Sequence, residues 1–428
     1  KDYYRKYEAA AKGRRTDSWL AQSTSANAEI NQALVILRNR SRDLARNNPY
    51  GINAIRKIAN NVVGTGIIPT PKLTSRPQEK KIKQLWTDWA ESVNCDFDGH
   101  FDFYGIEKLV MRTVAESGEC IIRKRIINDT SLSLPLQLQV LEGDFIDTFK
   151  HGPLADGGQI IYGVEFNKIG KVVAYWLYEN HPGENFTFQF NMNSNRYPVE
   201  DVIHVFEKLR PGQFRGVPMG TASMNRMKDL DEYEDAQLIR QKIAACFSVF
   251  VTDNSVALPS GALGGENDGL TEMVEPGIIQ KLRPGQGVEF ASPPGAEGYG
   301  EYTKNVLRAS AAGYGMDYVT LTGDLTSTNF SSGRMGWLEF ARNIAEWQWQ
   351  MLVPMFCNKV WGWFIQMSSL MGVTRTGIAV KVSWSVPKRE MINPETETKA
   401  TIDSYQNGLM AWSDAVLELG FNPDEQID

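Results

Sequence analysis

Between residues 30 and 62 apolar side chains fall at helical spacing twice. Ile30, Leu34, Leu37 and Leu44 precede a polar break, and Ile52, Ile55, Ile58 and Val62 follow it. The break, Arg46-Asn47-Asn48-Pro49-Tyr50-Gly51, predicts a sharp corner, because a residue before proline is driven out of helical dihedrals. Gly64 and Gly66 tolerate left-handed backbone and predict where the second helix stops. Two amphipathic helices hinged at a Pro49-Tyr50-Gly51 corner make a packing unit rather than a catalytic one. Ile82, Leu85, Trp86 and Trp89 then predict a short core helix over 78–92, with another over 106–116. From 119 to 211 the pattern switches to short strand-like runs at 120–127, 136–141, 160–166, 172–178, 186–190 and 202–206. Turn signals at Asp156-Gly157-Gly158 and Lys168-Ile169-Gly170 separate them, so this region reads as mostly antiparallel sheet.

Helical patterning returns at 220–246, where Met224, Met227, Leu230, Tyr233, Ala236 and Ile239 recur in steps of three. Such steps underturn a 3.6-residue helix, so the apolar stripe winds around the axis and suits contact with more than one neighbour. Its other faces carry charges of both signs, Asp231, Glu234 and Arg240 among them. A strand-rich insertion at 247–295 contains a Gly-rich stretch at 261–269, and a second helix follows around 302–314. Residues 317–333 are rich in Thr, Ser and Asn, with Asp317 and Asp324 as the acids. The next predicted helix, 334–371, holds Trp337, Trp347, Trp349, Trp361 and Trp363. Its segment 351–372 carries one formal charge, Lys359, and is long enough to cross a bilayer. Pro354, Asn358, Gln366, Ser368 and Ser369 interrupt it, and a helix buried among neighbouring elements is the preferred reading over a membrane span.

Composition changes this picture in three ways. At 428 residues, 42% hydrophobic and 22% charged, the chain is long enough for several packed units of ordinary globular character. Its net charge of -6 argues against a surface built throughout to hold nucleic acid. Charge is nonetheless uneven: residues 1–61 contain twelve Lys or Arg against five Asp or Glu, whereas 395–428 contain eight acids and one base, Lys399. Cys95, Cys120, Cys246 and Cys357 stand far apart without ligand spacing and read as reduced, packed thiols. The polar start lacks the apolar core of a signal peptide, and the absence of an initial Met suggests a processed or partial chain.

No catalytic pattern emerges. Gly170-Lys171 lacks the glycine framework and following hydroxyl of a phosphate loop, and Gly64-Thr65-Gly66 follows a helix rather than a strand. His100, His151, His181 and His204 are isolated in sequence; His204 fits a hydrogen-bonded imidazole within a strand. The acids at 229–235 spread around a helix, whereas a metal nuclease needs carboxylates converging on one point. The expectation is no catalytic residue, no metal and no cofactor. A nucleic-acid-processing metal-dependent enzyme, its acids converging only in three dimensions, stays as the alternative, and a membrane pore built on the aromatic helix is a third reading.

The wording RNNPYGINAIRKIANNVVGTGIIP at 46–69 resembles the N-terminal segment of tailed-bacteriophage portal proteins of the lambda type. In the same order as in that family come DVIHVFEKLRPGQFRGVP at 201–218, the long polar helix, KLRPGQGVEFASPP at 281–294, the second helix, the Thr/Ser/Asn loop and the aromatic helix. The resemblance implies an α+β portal-type subunit with a β-rich wing, two-helix stem, small α/β clip, long aromatic wing helix and partial helical crown. Its boundaries would be an arm at 1–26, wing at 27–217 and 334–394, stem helices at 218–246 and 296–316, clip at 247–295, tunnel loop at 317–333, and the start of the crown at 395–428. It further implies a homo-oligomeric ring, by the family's habit of about twelve copies. The ring would sit at one capsid vertex of the virion, assembled in the host cytoplasm, without membrane. Double-stranded DNA would be packaged and ejected through it. Partners would be the terminase large subunit, a head-completion or adaptor protein, and capsid and scaffold proteins. Thr326, Ser327, Thr328, Asn329, Ser331 and Ser332 would line the DNA channel, their short polar side chains making weak contacts that let phosphates pass. Met224, Met227, Asp231, Glu234 and Arg240 would make subunit contacts on the stem helix.

Overall fold

In the computed structural model of the chain, the residues described are 21–127, 132–184, 193–245, 249–253, 286–290, 298–326, 329–374, 380–387 and 394–418, with Arg14 and Asp129. They divide into two compact units, 1–222 with 311–428, and 223–310.

The first unit opens with α1 (Ala26–Asn47) and α2 (Pro49–Val63), and Asn48 makes the predicted corner. Its extended backbone (φ -108°, ψ 121°) follows from the proline after it; its N–H donates to the Leu44 carbonyl at 2.9 Å, closing α1. Its Oδ1 accepts from the N–H groups of Tyr50 (3.0 Å) and Gly51 (2.9 Å), opening α2. Gly64 and Gly66 both take positive φ after α2, as expected, and a Cβ on Gly66 would lie 2.3 Å from the Tyr104 ring. β1 (Ile68–Lys72), α3 (Arg76–Ala90) and α4 (Phe103–Ser117) follow, with α4 packed along α2.

β2 (Glu119–Ile126), β3 (Leu136–Glu142) and a later strand, β9, form one antiparallel sheet with β2 in the middle. The second antiparallel sheet runs in chain order through β4 (Gly152–Pro153), β5 (Gln159–Ile161), β6 (Val164–Phe166), β7 (Val172–Tyr178) and β8 (Ser194–Pro198). After it comes β9 (Val202–Phe206). Ile121, Leu141, Ile146, Val164, Tyr175, Leu177 and Val202 pack into a core shared by the two sheets. The single strand expected over 160–166 is a hairpin: Tyr162 (φ 48°) and Gly163 (φ 78°) form a two-residue turn between Ile161 and Val164. Both central residues at positive φ identify the turn type that matches strand twist. β8 was not anticipated, and the run expected at 186–190 lies outside the described residues.

The second unit contains α5 (Met224–Ala245), the antiparallel pair β10 (Val249–Asp253) and β11 (Gln286–Phe290), and most of α6 (Tyr299–Gly313), which leads back into the first unit. The Gly-rich stretch 261–269 lies outside the described residues. α5 and α6 meet where Tyr233 stacks on Tyr299 (5.9 Å between ring centroids) and tilts against Tyr302 (4.7 Å).

Back in the first unit stand α7 (Tyr318–Thr322), α8 (Phe330–Glu346) and α9 (Asn358–Leu370), with α8 and α9 joined by π-helical turns from Trp347 to Cys357. Pro354 lies inside those turns, where the wider winding accommodates a ring that would clash in an α-helix. β12 (Lys381–Ser385) pairs antiparallel with β1, and α10 (Pro394–Gln406) and α11 (Trp412–Glu418) end the described chain. The aromatic stretch is a core element. Trp86 meets Trp89, Phe103, Trp361 and Phe364 at centroid distances of 4.9 to 5.2 Å. Among the described residues no helix is long and apolar enough to cross a membrane. Cys95, Cys120 and Cys357 are free, buried thiols, and Cys246 lies outside the described residues.

Candidate functional site

The Thr/Ser/Asn segment is more ordered at its ends than its composition suggests. Asp317 caps α7, accepting from the N–H (3.1 Å) and hydroxyl (2.6 Å) of Thr320, so 318–322 is a short helix rather than loop. At the far end Asn329 and Ser332 form a reciprocal capping box: Asn329 Oδ1 accepts from Ser332 N–H at 2.8 Å, and Ser332 Oγ accepts from Asn329 N–H at 3.2 Å. Ser331 is exposed in the first turn of α8. The described residues between α7 and α8 that lie outside a helix, Gly323 to Thr326 and Asn329, are therefore fewer than the 317–333 loop expected, and Ser327 and Thr328 lie outside the described residues. Within it Asp324 accepts from Tyr318 OH (3.0 Å), Thr326 N–H (3.0 Å) and Thr326 Oγ1–H (2.5 Å). Both carboxylates of the segment are thus turned to local hydrogen bonds. The exposed positions are Leu325, 69% accessible, and Thr326. Asn53 of α2 donates its amide to the Leu321 carbonyl at 2.6 Å, fixing the base of the segment to the helical corner.

On α5 the five predicted contact residues separate into two groups. Met224 and Met227 are buried within the chain itself, so their side chains offer almost no surface to a second copy. Asp231, Glu234 and Arg240 are partly exposed. Burial raises the Glu234 carboxyl above its ordinary range, with Asp231 adding to the shift and a hydrogen bond from Tyr299 opposing it. The exposed apolar residues are Leu238 (50%) and Ile239 (57%) further along the helix. Ile239 belonged to the winding stripe; Leu238 was missed because it falls between the steps of three.

The densest buried charge lies elsewhere in the first unit, around Glu119 at the start of β2. Arg38 of α1 donates to its Oε1 at 2.7 Å, and Arg215 Nε lies 3.0 Å from Oε2. The Gly216 N–H donates to Oε2 at 3.0 Å, and His204 Nε2 lies 3.1 Å from the same oxygen. Burial alone would raise the Glu119 carboxyl, but Arg215 and His204 override it and hold the group well below the usual carboxylate range. Burial lowers His204 against the pull of Glu119, which fits the hydrogen-bonded strand imidazole expected there. His181, isolated in sequence, comes close to Glu142 and Asp144, a group whose ligand atoms are near enough to share a cation. Arg42 already fills that role, its Nη2 lying 3.0 Å from Glu142 and 2.6 Å from Asp144, while His181 Nδ1 accepts from Gly183 N–H at 3.0 Å. These groups tie elements together; none pairs a nucleophile with a base.

Residues 12–348 match the family model described as phage portal protein, lambda family. The chain is 26% identical over 443 aligned positions to a probable portal protein of Halomonas phage phiHAP-1, covering 98% of this chain and 84% of that one. It is 22% identical to portal protein B of Escherichia phage lambda, covering 74% of this chain and 66% of the relative. Among solved structures, a chain in the neck of a native GTA particle computed with C12 symmetry matches with TM-score 0.54 at 15% identity, covering 90% of this chain and 94% of that one. A chain from the neck of an empty GTA particle computed with C6 symmetry matches with TM-score 0.52 at 13% identity, covering 92% and 94%. At those identities the likeness speaks for the fold.

Proposed function

Because this chain belongs to the lambda family of phage portal proteins, we propose that it assembles into a ring at one capsid vertex and that duplex DNA passes the segment between α7 and α8 on packaging and ejection. Portal proteins are structural, and this chain is not an enzyme. The observation that carries the channel reading is the chemistry of that segment. Its two carboxylates accept local hydrogen bonds and stay partly buried and negative, and the exposed side chains Leu325, Thr326 and Ser331 carry no positive charge to grip a phosphate. A surface of that kind slides; clustered Lys or Arg would release counterions and hold. Asn329 and Ser332 contribute by capping α8 and so anchoring the segment, a role that leaves their polar groups mostly occupied.

The C12 symmetry of the neck containing one structural neighbour supports a closed ring of twelve copies here. Within it we assign subunit contact on α5 to Leu238, Ile239, Asp231, Glu234 and Arg240 rather than to the buried Met224 and Met227. The insertion 247–295, of which β10 and β11 are the described part, is the proposed dock for the terminase large subunit and afterwards for the head-completion protein. Leu325→Lys tests the channel reading. The ring seen end-on by electron microscopy should be unchanged, while the DNA packaged per head falls, most at low salt where a new phosphate contact is strongest. Packaging indistinguishable from wild type across the salt series would remove the segment from the DNA path.

A further inference from the structure

The two-stranded sheet of β1 and β12 has unlike faces. Pro69, Pro71 and Trp384 are buried on one; alternation puts Thr70, Lys72, Lys381, Ser383 and Ser385 on the other, with the exposed Ile68 at its end. Lys72 and Lys381 are both exposed and sit directly opposite each other in the antiparallel ladder. Like charges in that arrangement destabilise a sheet unless a counter-charge lies over them. α3 begins four residues after Lys72 and adds Arg76 and Lys80, exposed and one turn apart on the same side of the helix. Among the described residues none of these four cations forms an ion pair. Glu79, the acid at this junction, spends Oε2 on the Leu73 N–H at 3.1 Å. A shallow depression of about 430 Å³ lies there, lined by Thr70, Lys72, Thr74 and Glu79 among others.

We propose that this face binds the sugar-phosphate backbone of duplex DNA at a place separate from the segment between α7 and α8. In a chain of net charge -6, four exposed cations beside short hydroxyls, with Glu79 as the acid among them, form a local excess of positive charge whose chemistry suits phosphate oxygens. The open sheet face carries no aromatic side chain on which an unpaired base could stack, which favours a duplex over a single strand. The binding is blind to sequence, since cations and hydroxyls reach phosphates rather than base edges. The proposal takes the identity of its polyanion from the portal reading but does not depend on where Leu325 points.

The test is fluorescence anisotropy of a short random-sequence duplex with the assembled full chain across a salt series. Lys72→Gln with Lys381→Gln should weaken binding and flatten the dependence of log K on log salt by about 0.9 for each phosphate no longer neutralised. Arg76→Gln with Lys80→Gln, on an exposed helix face, should do the same and guards against a sheet-folding defect in the first pair. Unchanged affinity and slope in both variants would overturn the proposal. So would tight binding of the acidic peptide 395–428 of this chain that duplex fails to displace, because the face would then join copies of the protein. Leu325→Lys heads that package normally would remove the channel reading and leave this one standing.

Discussion

α2 and α5 both repeat apolar residues at short helical intervals, yet the chain buries the whole apolar face of one and only half of the other. In α2 the buried residues come as adjacent pairs four apart, so Ala54, Ile55, Ile58, Ala59, Val62 and Val63 stay on one side, with Arg56, Lys57 and Asn60 opposite. In α5 a constant step of three loses about 60° per step against 3.6 residues per turn. Met224, Met227 and Leu230 are buried, but Ile239, about 120° round the axis from the middle of that group, is exposed, as is Leu238, which lies close to their face about two turns further along. A stripe that holds its face finds its partner inside the chain; one that winds leaves apolar surface for another copy. For a ring-forming subunit the second pattern is informative, because self-sufficient folding and outward contact are written into different helices.

The contrast breaks most severely if the self-closing side is damaged. Glu119→Ala would strand the buried Arg215 and leave the buried Arg38 with Asp144 as its remaining carboxylate at 3.1 Å. Losing one partner of a buried ion network costs about 3–5 kcal/mol, and chemical denaturation should register it equally at low and high protein concentration. Because the folded Glu119 carboxyl is depressed, the stability it contributes is present above the ordinary Glu range and lost as pH falls through its folded value. The gap between wild type and variant should therefore narrow in acid.

Glu107 offers a smaller effect of opposite sign in the same unit. It is buried, accepts from Ile67 N–H at 2.8 Å and faces Cys357 Sγ at 3.5 Å, and burial pushes its carboxyl well above the ordinary range. A raised carboxyl contributes stability below the unfolded pKa that is lost as pH rises through the folded one. Glu107→Gln keeps an acceptor for Ile67 and removes the charge, so it should raise the melting temperature in alkaline buffer by the equivalent of about 1–3 kcal/mol. The advantage should vanish in acid, where wild type is already neutral; an equal shift at every pH would mean that the carboxyl titrates alike in the folded and unfolded chain.

Much of the self-closing side was legible because its signals are local. Asn48-Pro49 predicts its own corner through sterics, and the tryptophan spacing of α3 predicts its buried face. The Asp317 and Asn329 caps were equally local, each followed three residues later by a Thr or Ser, but the Ser/Thr/Asn composition around them read as loop and hid the helix starts. The Tyr162-Gly163 turn was hidden for another reason. Tyrosine seldom takes positive φ, so an apolar run that reverses there looks like one strand until pairing across Ile161 and Val164 is seen. The Glu119 knot could not be read at all, since Arg38, Glu119 and the pair His204 and Arg215 come from three separate stretches that only the fold brings together.

The smallest effect on the single chain is expected where the two helices differ most in what they offer a neighbour. Leu238 and Ile239 are half exposed, so replacing both with Ser removes little that the folded subunit buries, and its unfolding free energy should move by no more than about 0.5 kcal/mol. If the winding stripe of α5 meets a neighbouring copy, the same variant should dissociate at concentrations where wild type remains a ring, a shift that sedimentation velocity resolves. Rings as persistent as wild type would mean that the exposed half of α5 faces solvent, and that the steps of three record only the packing of Met224, Met227 and Leu230. Destabilisation of the isolated chain alongside loss of rings would dissolve the distinction from the other direction, making α5 as self-contained as α2.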